Sequence, residues 1–306
     1  MVRLAARAAC LEKGRAVTPP AFLASEYAPA APENALFHII PAPLEHTVSY
    51  GAGAARGPAA ILEASQQLEA WDGSSCPGAL GIHTAQAVDC SNGVEAALKH
   101  IAHSTREALA HNALPVLLGG EHSATLGALQ ALKERHGHFG IVQIDAHADL
   151  RPHYQGSIYS HASVMRRAVA DLGLRLAQFG VRDLCLEEVQ ARRDFNVHFL
   201  DAPDLARAGL PATPLQGDFP ETVYVSFDVD GLDPAYIPAT GAPVPGGLGW
   251  YDALTIIERC VSKRRVIGFD VVELAPVPGL HASDYAAARL VYHIMGILER
   301  NAVLPK

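Results

Sequence analysis

Three short stretches concentrate side chains that bind divalent cations: Gly119-Gly120-Glu121-His122-Ser123, Asp145-Ala146-His147-Ala148-Asp149 and Ser226-Phe227-Asp228-Val229-Asp230-Gly231. The second follows the apolar run 139–144 and the third follows 222–225, so each reads as a buried strand that delivers acids at its C-terminal end. Residues two apart on a strand share a face, so Asp145, His147 and Asp149 converge where the chain stays extended. The same holds for Asp228 and Asp230. Two carboxylates ~4 Å apart repel by about 4 kcal/mol at an effective dielectric near 20. Acids on apolar strands also lose hydration, which is costly unless they are paired or hold a metal. His122 completes a set of four Asp and two His. Four negative charges match two divalent ions, and oxygen and imidazole donors without thiolate favour Mn²⁺ over structural zinc. A single Asp-x-Asp reads as loop acids in water, but three such stretches together do not.

The elements that must position these groups alternate. Strands are expected at 35–40, 114–118, 139–144, 177–181, 198–200, 222–225 and 265–272. Helices are expected from Gly57-Pro58, after Ser91-Asn92-Gly93, over 124–134, from His161 to about 170, over 251–262 and from about Ser283. The glycines before His122 let the backbone turn sharply and bring that histidine close to the sheet end. Strands alternating with helices predict an α/β fold, three-layer α/β/α, around a mostly parallel central sheet. Ligands of such sheets bind beyond the carboxyl ends of the strands, where the acids sit. The Pro- and Gly-rich run 234–249 is too long for an ordinary turn, and long loops are often functional. Residues 1–34, rich in Ala and Pro, read as a surface lead-in, with a short amphipathic helix or frayed end over 1–17. Residues 35–306 read as one domain.

Composition narrows the partners. The 306 residues carry a net charge of −8, which excludes nucleic acid and anionic membrane as obvious partners and does not repel a cationic substrate. Five separated cysteines form neither a disulfide framework nor a thiolate metal site and suit a reducing, cytoplasmic setting. No apolar run is long enough to span a membrane.

The three metal-type stretches, taken with Asp233-Pro234, Ser160-His161-Ala162-Ser163 and Asp270-Val271-Val272-Glu273, resemble the signatures of the ureohydrolases, the arginase and agmatinase family. The order is the same from about Phe37 onward. This resemblance implies an arginase-like fold and two Mn²⁺ per chain. His122, Asp145, Asp149 and Asp228 would hold one ion, and Asp145, His147, Asp228 and Asp230 the other. It implies that the ions activate a water for attack on a guanidino carbon. His161 would shuttle the proton to the leaving nitrogen, Asp149 would orient the nucleophile, and Glu273 would grip the guanidinium.

The loop 150–161, ending in Tyr159-Ser160-His161, is closest to the agmatinase pattern. The resemblance therefore implies hydrolysis of agmatine to putrescine and urea, in polyamine metabolism. Ser157 and the run 238–243 depart from the usual agmatinase residues and are placed at the far end of the substrate. His46 and His153 are candidates for the pocket border. Guanidinobutyrate, guanidinopropionate and arginine are the alternative substrates. A non-catalytic metal-binding subunit is the alternative from another class, and it would lack a ligand or His161. A mononuclear zinc deacetylase-type enzyme would lack one of the two metal sites. The family likeness further implies a homo-trimer or homo-hexamer.

Overall fold

The metal-type residues sit at the carboxyl ends of the central strands of a single sheet whose strands all run the same way. A computed structural model describes residues 19–215 and 217–305. Among them, β1 (Phe37–Ala42), β2 (Ile82–Thr84), β3 (Leu114–Gly119), β4 (Gly140–Ile144), β5 (Arg175–Phe179), β6 (His198–Leu200), β7 (Thr222–Asp228) and β8 (Arg265–Val272) form the sheet. Its order is β2-β1-β3-β8-β7-β4-β5-β6, and every pairing is parallel. The helices are α1 (Gly57–Ala64), α2 (Val94–Ala110), α3 (Thr125–His136), α4 (Val164–Ala170), α5 (Leu186–Asp194), α6 (Ala202–Ala208), α7 (Trp250–Val261) and α8 (His281–Asn301).

Side-chain alternation sorts the strands between two cores. Phe37, Ile39, Val116, Val142, Ile144, Val225, Phe227 and Phe269 pack with α1, α7 and α8. Ile40, Leu117, Ile141, Leu176, Tyr224 and Ile267 face the other way, against α2, α3, α4 and α5. Both faces of the sheet are therefore covered, which is why its strands are near-continuous apolar runs. The expected three-layer α/β/α fold is what the chain adopts.

Three local expectations change. The strand expected over 177–181 runs over Arg175–Phe179, and β2, α5 and α6 were not foreseen. The lead-in is partly core: Phe22 and Leu23 are buried in the α1–α8 layer, and their N–H groups donate to Thr84 Oγ1 (3.0 Å) and Ser65 Oγ (2.9 Å). Two aliphatic or aromatic residues cannot stay in water beside an open core edge without cost, so they close it. We infer one domain that begins before Phe22. The amphipathic helix considered for 1–17 lies outside the described residues. Among the described residues, no helix is long and apolar enough to cross a membrane, and Cys76, Cys90, Cys185 and Cys260 are free.

Candidate metal centre and active site

β3, β8, β7 and β4 are neighbours in the centre of the sheet, and each ends in a candidate site residue. His122 follows β3, Glu273 follows β8, Asp228 ends β7 and Asp145 follows β4. Gly120 permits this approach: a Cβ there would fall on the Leu44 carbonyl, so close packing, not a left-handed turn, requires the glycine. The acids do not reach one another on extended backbone alone. Asp230 lies in a 3-10 turn, Val229–Gly231, whose start is capped by the Asp228 carboxylate accepting from Asp230 N–H (2.8 Å). Asp149 and Glu273 adopt left-handed φ of 53° and 65°. Such backbone costs about 1–3 kcal/mol per residue and persists only where surroundings hold it. Arg166 N–H donates to Asp149 O (3.0 Å) and Glu273 N–H donates to Gly120 O (2.8 Å).

The six predicted ligands converge. His122 Nδ1 lies 3.1 Å from Asp145 Oδ2, 3.0 Å from Asp149 Oδ2 and 3.5 Å from Asp228 Oδ2. His147 Nδ1 lies 3.1 Å from Asp230 Oδ2 and 3.6 Å from Asp145 Oδ1. His122, Asp145 and Asp149 form one possible ion-holding group, and Asp145, His147 and Asp230 form a second that shares Asp145.

The tautomer of His122 follows from its far side. Ser226 gives its one proton to Asp270 (2.9 Å), so His122 Nε2–H must donate to Ser226 Oγ (2.9 Å). Asp270 is fixed in turn by N–H and O–H donors from Phe227, Thr125 and Tyr224. That leaves the His122 Nδ1 lone pair buried, facing three carboxylates and without an aligned hydrogen bond. A lone pair among anions is the environment of a metal ligand, and a histidine oriented through its other nitrogen is the usual accompaniment. The six side chains therefore fit a pair of divalent cations.

The electrostatics of the cluster say the same. Burial pushes Asp149 up to about 7, with the Asp145 charge adding to it. Burial and then Asp230 and Asp145 raise Asp228 well above the carboxylate range. Burial alone would depress His122, but Asp145 and Asp149 lift it well above the ordinary histidine value. A raised proton affinity at Asp149, Asp228 and His122 alike marks a site short of positive charge, which a cation on the Nδ1 lone pair would supply in place of a proton.

A cavity of about 230 Å³ opens over this cluster. His122, His147, Asp149, His161, Asp228, Asp230 and Glu273 line it, while Asp145 is wholly buried beneath. Glu273 Oε1 accepts from His122 N–H (2.6 Å), and burial raises its carboxyl to about 8. His161 heads a 3-10 turn before α4. Its Nδ1 lies 3.2 Å from Thr47 Oγ1, whose proton goes to Glu121 (2.8 Å). His161 thus donates through Nδ1–H and keeps Nε2 free; burial lowers its proton affinity.

Ser157 is not brought to the cavity. Its Oγ accepts from Tyr159 N–H (3.1 Å), and a bridge between Tyr154 and Ser157 turns the loop so that Tyr154 and Arg151 line the wall instead. His46 and His153 do not line it either; the His46 ring contacts Cys90 O (2.7 Å). The 234–249 loop does reach it through Gly241 and Ala242. Arg182 clamps that loop to the metal-site turn, donating to Val244 O (2.7 Å) and Asp230 O (2.6 Å). Thr47, Glu121, Tyr154, Arg182 and Asp183 were missed as site residues. Glu121 and Arg182 had the one usable signal, a charge at a strand end.

A model of the arginase family matches residues 35–296, and the chain belongs to that family. It is 36% identical over 293 residues to N(1)-aminopropylagmatine ureohydrolase of Synechocystis sp., covering 91% of this chain and 94% of that protein. It is 34% identical over 272 residues to agmatinase of Pyrococcus horikoshii, covering 88% of this chain and 94% of that protein. The crystal structure of agmatine ureohydrolase of Thermoplasma volcanium aligns with a TM-score of 0.81 at 31% identity, covering 93% of this chain and 97% of that one. The protein is a hydrolase of the ureohydrolase group.

Proposed function

We propose that the chain is a binuclear manganese amidinohydrolase that releases urea from a linear guanidine bearing a cationic tail. Agmatine and N(1)-aminopropylagmatine are the leading substrates, ahead of arginine and guanidinobutyrate. The observation that carries this reading is the convergence of four Asp and two His on one cavity, with His122 Nδ1 buried and unpaired. When bound, two Mn²⁺ ions neutralise the acids, polarise the guanidine and make water nucleophilic at neutral pH.

The protein residues do the rest. Glu273 Oε1 is already tied to His122 N–H, so Oε2 and the remaining Oε1 lone pair accept the guanidinium and hold its carbon above the cluster. Asp149 orients the attacking water from the cavity floor. Nε2 of His161, left free because Thr47 and Glu121 engage Nδ1–H, takes the proton that the attacking water gives up and passes it to the departing amine nitrogen. Water adds to the guanidino carbon, the C–N bond to the alkyl nitrogen breaks, and urea and a polyamine leave. For agmatine that product is putrescine; for the aminopropyl compound it is the aminopropyl derivative of putrescine.

Asp183, exposed at the cavity edge, supplies an acid for a cationic tail, while the Tyr154 ring already carries the Arg151 guanidinium 4.9 Å from its centroid. That acid favours the two amines over arginine and guanidinobutyrate, whose carboxylates it would repel, and Arg151, the cation on the wall, is turned onto Tyr154. Two of the similar proteins named above act on amines of this kind, one of them the aminopropyl compound. Family likeness supports a homo-trimer or homo-hexamer, which light scattering checks. Urea release after Mn²⁺ loading is the test, with agmatine, N(1)-aminopropylagmatine, arginine and guanidinobutyrate as substrates. Urea from one of the first two is expected. No urea from any of the four, by protein that has taken up Mn²⁺, refutes the reading.

A further inference from the structure

A row of polar side chains crosses the sheet one layer beneath the metal-type residues. Gln178 on β5 is in register with Gln143 on β4, Gln143 with Ser226 on β7, and Ser226 with Asp270 on β8. All four are completely buried, on a face whose neighbouring positions are Leu176, Ile141 and Tyr224. Buried amides are costly unless fully hydrogen-bonded, so the partners of this row define what it does. The Ser226–Asp270 half orients His122. The glutamine half leads to Asp145, the acid common to both ion-holding groups.

Its hydrogen bonds run in one direction. Arg192 Nε donates to Gln178 Oε1 (2.8 Å), Gln178 Nε2 donates to Gln143 Oε1 (2.6 Å), and Gln143 Nε2 donates to Asp145 Oδ2 (2.7 Å). Arginine has donors and no acceptor, so it forces each amide to turn its oxygen towards α5 and its N–H towards the site. Arg192 is itself pinned by paired 3.0 Å hydrogen bonds to Asp201 and by stacking 4.4 Å from the Phe199 ring centroid. Gln178 Nε2 also donates to Ala148 O (2.7 Å), which ties the chain to the loop carrying Asp149.

We propose that Arg192, Gln178 and Gln143 are positioning residues for the metal centre: a one-way relay that keeps an N–H aimed at Asp145 Oδ2. The relay holds that carboxylate in one rotamer. A carboxylate has about four lone-pair sites; Gln143 takes one on Oδ2 and the His147 N–H one on Oδ1 (2.6 Å), which leaves one on each oxygen for the two ions. The inference rests on the two-metal reading of the site.

The experiment titrates metal-free, full-length protein with Mn²⁺, counting free ion by EPR and recording the spectrum of the bound pair. Gln178→Glu keeps size and still accepts from Arg192, but has no N–H to give. Gln143 then turns its NH₂ to the new carboxylate and its oxygen to Asp145. Loss of a hydrogen-bond partner behind a metal ligand typically costs about 10–100-fold in affinity, and a loss of that order is expected here, with a changed bound-pair spectrum. Arg192→Met unhooks the relay and also weakens binding, whereas Arg192→Lys, still a cation without an acceptor, retains most of it. Wild-type affinity and spectrum in both Gln178→Glu and Arg192→Met overturn the relay while leaving the metal site intact. Should Gln178→Glu not fold, equal losses in the Met and Lys variants of Arg192 overturn it as mere packing. A wild type that takes up no Mn²⁺ sinks the metal reading and the relay together.

Discussion

Glu273→Gln separates a substrate grip from a structural acid. The Glu273 backbone is anchored by its N–H to Gly120 O (2.8 Å), and Oε1 accepts from His122 N–H (2.6 Å). A glutamine keeps the first contact through its own backbone N–H and the second through its amide oxygen. Its NH₂ then replaces Oε2 and faces the donors of the guanidinium. The variant therefore folds, but it loses a charge-assisted hydrogen bond to substrate and gains a donor–donor conflict. Such a bond contributes about 1.5–3 kcal/mol. At about 1.4 kcal/mol per factor of ten, kcat/KM falls by about 10- to 150-fold, and the conflict pushes towards the upper end. Urea release across substrate concentrations measures the fall, and a thermal melt checks that the fold is kept. A change below about threefold, under 0.7 kcal/mol on the same scale, with an unchanged melt, refutes the assignment of Glu273 to the guanidinium.

Two further outcomes are expected. His161→Asn lowers kcat by about 10²–10⁴-fold, the usual contribution of a positioned acid or base; metal analysis should show undiminished Mn²⁺ content, and a loss of metal instead would move His161 from proton transfer to site assembly. Acid weakens the fold through two histidines remote from the chemistry. Burial, with nearby arginines adding, pushes His136 and His293 down from 6.5 to about 4. The unfolded chain then takes up protons that the native one refuses, so their contribution is intact above pH 6.5 and is lost as pH falls towards 4. His136→Leu flattens the fall of melting temperature between pH 6.5 and pH 4 relative to wild type; parallel curves refute this.

Much of this molecule could be read from its residues, and the gaps have physical causes. β8 falls where expected because a buried parallel strand is a near-continuous apolar run between polar turns. β2 is three residues long, too short to show a period. α5 has almost no apolar stripe in Leu-Glu-Glu-Val-Gln-Ala-Arg-Arg-Asp; its signal was a capping pattern built on Cys185 and Glu188 in place of the usual hydroxyl. The six metal-type residues were legible because their types are costly to bury without a cation. Gln143 and Gln178 passed as minor interruptions of apolar strands, although a buried amide is itself a sign of an obligatory partner. Thr47 reaches Glu121 across 74 residues, a pairing that no local pattern announces. Ser157 misled because sequence gave its place in the loop but not the direction of its side chain.

The interlocking of Glu273 Oε1 with the His122 main chain has a consequence for how this enzyme can change over time. The proposed metal ligands and the proposed guanidine clamp are joined through this one hydrogen bond, so altering either disturbs its companion. Tyr50, Tyr154, Asp183 and Ala242 border the opening, and none belongs to that joined unit. Descendants seeking a longer, shorter or differently charged amine would therefore be edited at the mouth, with the joined unit inherited whole.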